Sequence, residues 1–94
     1  MTTIKKLSAI PYGQAHVEID DAGNILLFSY VTLVAAIKDG EWLEVYGLYS
    51  MTTRKHISAF VREYTCFDYS TAKEMYEKNY RISIATGEVE EMEN

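Results

Sequence analysis

Between Gln14 and Asp20 the chain alternates without a break, with Ala15, Val17 and Ile19 on one side and Gln14, His16, Glu18 and Asp20 on the other. Strand side chains point to opposite faces with a period of two, so this stretch predicts a strand with one buried face. The following DDAGN gathers turn formers, with Gly23 and Asn24 suited to a positive φ. Residues 25–37, ILLFSYVTLVAAI, are apolar at both parities, which predicts a central strand, bent or broken near Ser29. Asp39-Gly40 then supplies a tight hairpin turn. After it Trp42, Glu44, Tyr46 and Leu48 alternate with Leu43, Val45, Gly47 and Tyr49, which completes a three-stranded antiparallel meander.

The period changes at residue 52. Ile57, Phe60, Val61 and Tyr64 fall at helical spacing and predict an amphipathic helix, with Thr52 or Thr53 as its N-cap. CFDY interrupts it. STAKEMYEKNY predicts a second helix, capped by Ser70 or Thr71, with an apolar stripe of Ala72, Met75 and Tyr76 and a stop at Asn79. Tyr80, Ile82 and Ile84 restore the period of two before a turn at Thr86-Gly87. The only proline, Pro11, precedes Tyr12-Gly13 and predicts a turn or an edge-strand entry. The order β-β-β-α-α-β predicts an α+β fold, a small antiparallel sheet with two short helices packed on one face.

Ninety-four residues make one domain, expected over residues 1–87, with the acidic residues 88–94 as a flexible tail. The net charge of −5 is uneven. Residues 1–50 carry three lysines against six acids, residues 51–87 six cations against four acids, and the tail four acids with no base. The helical part is therefore mildly basic in an acidic chain. A single cysteine, Cys66, permits no internal disulfide and fits a reducing compartment, where it is expected buried and inert. No signal peptide or membrane-spanning run is evident, which points to a soluble cytoplasmic protein without a membrane partner.

Little in the chain suggests catalysis. His16 and His56 lie on different elements, without the spacing of a metal site, and His16 sits on the polar face of its strand. No phosphate loop or nucleophile motif is present, so no enzymatic activity and no cofactor are expected. Of the eight tyrosines, Tyr64, Tyr76 and Tyr80 fall on apolar stripes and are expected in the core. Tyr46, Tyr49 and Tyr69, near element ends, remain candidates for contact with a ligand or partner.

The strongest candidate surface opens the first helix. Arg54, Lys55 and His56 follow one another in its first turn, where the helix dipole disfavours a cation by about 0.3–1 kcal/mol. A bound phosphate or carboxylate, held also by the hydroxyls of Thr52 and Thr53, would reverse that sign. Helical spacing adds Arg62 to the line of Arg54 and Ser58. The bland alternative is neutralisation by Glu44 or the acidic tail. The two helices also invite comparison with a DNA-binding helix pair, but the second is neutral, with Lys73 and Lys78 against Glu74 and Glu77.

GLYSMTTRKHI (Gly47 to Ile57), DYSTAK (Asp68 to Lys73) and TGEV (Thr86 to Val89) carry a resemblance over residues 29–90. This run resembles short uncharacterised proteins of phages and mobile elements from Gram-positive gut and rumen bacteria. The resemblance implies a setting rather than an activity: small accessory proteins that block a host protein or sequester a signalling nucleotide. Two expectations follow. One is a non-enzymatic binding protein acting on a bacterial defence or regulatory component, either through a sheet face with Trp42, Glu44 and Tyr46 or through a phosphate site at Arg54. The other is a small helix-turn-helix regulator that binds duplex DNA. A homodimer through an exposed strand edge is compatible with either.

Overall fold

A computed structural model describes residues 2–10, 13–48 and 50–92. Its elements are β1 (Thr3–Lys5), β2 (Ala15–Ile19), β3 (Ile25–Ser29), β4 (Thr32–Lys38), β5 (Trp42–Val45), α1 (Met51–Tyr64), α2 (Tyr69–Lys78), β6 (Tyr80–Ser83) and β7 (Val89–Glu91). The seven strands form one antiparallel sheet in which spatial order follows chain order. The fold is thus α+β as expected, with a wider sheet and five strands, not three, ahead of the helices.

Three departures account for the difference. The apolar run after Asn24 is a hairpin rather than one bent strand, because the chain reverses at Tyr30-Val31 and Tyr30 takes a φ of 59°. A register shift between Leu27 and Phe28 lets β4 carry an extra residue against β3. At the C-terminus, Val89–Glu91 pairs with β6, so three residues of the expected flexible tail complete the sheet. The last two residues of that tail, and Pro11, Tyr12 and Tyr49, lie outside the described residues.

The local signals hold where they were strongest. Ala15 and Val17 are buried, as alternation required. Asp39 and Gly40 adopt positive φ values of 57° and 69°, the Glu41 amide donates to the Lys38 carbonyl at 2.9 Å across them, and the β4–β5 ladder begins beyond Glu41 with Lys38 opposite Trp42. Asn79 ends α2 in the left-handed conformation.

The caps lie elsewhere than Thr52, Thr53, Ser70 or Thr71. Ser50 caps α1 by accepting from the Thr53 amide at 3.2 Å, and Asp68 caps α2 by accepting from the Thr71 amide at 3.2 Å. Each side chain sits one residue before its helix in extended backbone, the geometry that lets it reach back to a free amide.

The core forms between the helices and one sheet face. Val17, Leu27, Ala35 and Val45 lie in one register row, Ile37, Leu43 and Ile82 in another. Both rows pack against Ile57, Phe60 and Val61 of α1 and Ala72 and Met75 of α2. Helix α1 lies over β3 and β4, and α2 over β5 and β6. Tyr64 and Tyr80 join the edge of the core as expected. Tyr76 does not: it is 41% exposed, one position off the buried stripe of α2. Cys66, in the link between the helices, is exposed rather than buried.

Candidate functional site

The first turns of α1 split the expected cationic cluster. Its buried face consists of Thr53, His56, Ile57, Phe60 and Val61, with Ala59 at the margin. Thr52, Arg54, Lys55 and Arg62 face solvent. A helix advances by about 100° per residue, so three consecutive side chains cannot share one direction. His56 is the one that turns inward.

His56 is 3% exposed, and its Nδ1 lies 2.8 Å from the Ser29 hydroxyl on β3. The Tyr30 ring stands beside it, 6.3 Å between centroids. Burial holds the imidazole below its ordinary pKa, so it is neutral at pH 7 and adds no charge to the surface. Thr53 is also buried, with its hydroxyl 3.2 Å from that of Ser50. The phosphate-site residues are therefore divided: Arg54, Lys55, Arg62 and Thr52 outside, Thr53 and His56 inside.

A second cluster forms on the sheet face that no helix covers. Arg81 on β6 lies over the Trp42 ring, 4.4 Å from its centroid. The same guanidinium reaches Glu44 on β5 at 3.1 Å and Glu90 on β7 at 2.6 Å. The Tyr46 hydroxyl donates to the other Glu44 oxygen at 2.6 Å. Burial and that carboxylate push the Tyr46 phenol up, so it remains a donor at neutral pH. Trp42, Glu44 and Tyr46 thus come together as their alternation required. Arg81 and Glu90 were missed as members of this site. Their spacing predicts a shared face only once β7 is known to pair with β6.

Beside this cluster the sheet opens. The β5–β6 ladder pairs Trp42 with Ser83 and Leu43 with Ile82 and goes no further, although both strands continue. A cleft of about 860 Å³ lies there, walled by Glu44, Tyr46, Tyr76, Glu77, Arg81 and Glu90. Three of those six are acids and one a base, which gives the cleft an acidic cast. Elsewhere on the open face, His16 stacks on Phe28 at 5.1 Å and lies 3.0 Å from Glu18, so it is held and half-buried rather than freely solvated. Leu26, Phe28 and Leu33 remain part-exposed there, and Ala36 between them is fully buried.

Tyr69, the first residue of α2, buries its hydroxyl without a hydrogen-bond partner among the described residues. It takes no part in either cluster. Helix α2 buries Ala72 and Met75 against the sheet, and Lys78 pairs with Glu74 at 3.0 Å. Among the described residues, no group of three His, Cys, Asp or Glu side chains could hold a metal ion. Nor is any described helix long and apolar enough to cross a membrane.

A family model covers residues 2–81, and its description is a family of unknown function (DUF8033). The chain belongs to this family. The match takes in the N-terminal residues that the resemblance left out and stops before Thr86–Val89, which the resemblance had included. No curated protein and no solved structure matches the chain.

Proposed function

We propose that the chain is a non-enzymatic accessory protein of a phage or mobile element that binds and blocks a host protein in the bacterial cytoplasm. The target would be a defence or regulatory component, such as a CRISPR nuclease. The observation that carries this reading is the Trp42–Arg81–Glu44–Tyr46 cluster on the uncovered sheet face. Trp, Tyr and Arg are the side chains that most often dominate binding energy at protein interfaces. Here they are held by one another before any partner arrives, which lowers the entropy cost of docking. The acidic cleft beside them favours a target with a basic surface. The phage setting rests on the resemblance of GLYSMTTRKHI and DYSTAK.

A nucleotide-sequestering role has less support. His56 and Thr53 face inward, and the Thr53 amide is already occupied by Ser50. A DNA-binding regulator has less still, since α2 is neutral and buries one face on the sheet.

The test is affinity capture from a Gram-positive host lysate with wild type, Trp42→Ala/Tyr46→Ala and Arg54→Ala, followed by mass spectrometry of proteins and released nucleotides. The expected result is one host protein held by wild type and Arg54→Ala and lost with the double variant. Retention by all three forms would remove the sheet face as the site. A nucleotide lost with Arg54→Ala would replace blocking by sequestration.

A further inference from the structure

We infer that the groove along the solvent side of α1 is a separate binding site, for an acidic segment of a protein. Its two walls are Ser8, Ala9 and Ile10 of the N-terminal segment and Lys55, Ser58, Ala59, Arg62 and Glu63 of the helix, enclosing about 530 Å³. Lys55 and Arg62 are exposed, and no carboxylate among the described residues forms an ion pair with either. The groove's own acid is already engaged: Glu63 accepts the Ser8 amide at 2.7 Å, which ties the two walls together. What remains is two unpaired cations over a floor of Ala59 and Ile10, with hydroxyls from Ser8 and Ser58 between.

Spacing defines the occupant. Lys55 and Arg62 are seven residues apart, which along a helix rising 1.5 Å per residue is about 10 Å. A polyproline-II segment turns once every three residues and advances about 3.1 Å per residue, so carboxylates three positions apart lie on one face and span nearly the same distance. A segment of the form acid–apolar–apolar–acid would place one carboxylate on each cation and an apolar side chain on the floor. Nucleic acid fits less well. Among the described residues no aromatic ring lines the groove for base stacking, and the whole chain carries a charge of −5. Arg54, one turn before Ser58, does not line the groove.

The experiment titrates the ¹⁵N-labelled full chain with a capped peptide, Gly-Ser-Glu-Leu-Ala-Glu-Ser-Gly, and follows amide shifts by NMR. Shifts confined to residues 8–10 and 55–63, with affinity weakened at least tenfold by Lys55→Ala/Arg62→Ala and by Gln in place of both peptide Glu residues, are expected. Trp42→Ala should leave the titration unchanged, which separates this site from the sheet face. The proposal is overturned if millimolar peptide shifts nothing, if the shifts fall in the acidic cleft, or if the Gln peptide binds equally. Tighter binding of a short DNA duplex at the same residues would reassign the groove to nucleic acid.

Discussion

The Ser29 hydroxyl and the Nδ1 of His56 lie 2.8 Å apart, both residues 3% exposed, joining the end of β3 to the second turn of α1. A buried polar pair of this kind contributes modestly while intact and costs more when broken, because the survivor keeps its desolvation penalty.

Stability should therefore fall on the acid side of neutrality. Burial lowers the folded-state pKa of His56 below its ordinary value of 6.5, so between those values the unfolded chain binds more protons. The stabilisation is complete above 6.5 and is lost as pH falls from there through the depressed folded value. Urea midpoints at pH 7.5 and 5.5 should differ in wild type, and the difference should shrink in His56→Gln. Ser29→Ala should cost about 1–3 kcal/mol at pH 7.5 by orphaning the imidazole nitrogen.

Arg81 ties three strands together, and its loss should loosen the last of them. Arg81→Ala leaves Glu44, only 13% exposed at its side chain, without its ion pair and uncovers the Trp42 ring. A cost of about 2 kcal/mol is expected, with faster amide hydrogen exchange in β7. Glu90→Ala, removing a partner that is 54% exposed, should cost under about 1 kcal/mol. Equal effects of the two substitutions would mean that the Glu44 contact contributes little.

The two cap residues make a sharp comparison. Ser50→Ala should lower stability by about 1 kcal/mol, and Asp68→Ala by a similar amount. Thr52→Ala, at an exposed helical position, should change little. Chemical denaturation of the three variants checks this directly, and a larger loss at Thr52 would contradict the assignment of Ser50.

At the β4–β5 turn, Gly40 holds a φ of 69° with open space where a Cβ would stand. Gly40→Ala should thus meet backbone strain alone and cost about 1–2 kcal/mol. Gly40→Asn should cost less, because Asn tolerates the left-handed region. Thermal melts of both variants rank them.

Cys66 should react with a thiol reagent in the folded protein. Its exposure in the link between the helices leaves it open to solvent. Modification at the rate of the denatured chain is expected, and slow, unfolding-limited labelling would show a buried thiol instead.

Much of the fold could be read from local chemistry. A strand with one buried face, a turn demanding two positive φ values and a helix with its apolar stripe each declare themselves within about ten residues. Residues 15–19, Asp39-Gly40 and the stripe from Ile57 to Tyr64 did so because period and turn propensity are properties of neighbours in sequence. Trp42, Glu44 and Tyr46 shared a face for the same reason.

Longer-range partners decided the rest. Tyr30-Val31 carries none of the residues that mark a tight turn, so only the pairing of β3 with β4 reveals the reversal. The acidic tail reads as disordered by composition, yet Val89–Glu91 gains a ladder on β6 and an Arg81 contact that composition cannot display. His56 reads as a surface cation beside Arg54 and Lys55. It is a core residue because α1 rotates Ile57, Phe60 and Val61 onto the sheet, and that rotation carries the imidazole to Ser29. Sequence determined the elements, through their period, and tertiary packing determined which charges were buried or paired and which were left at the surface.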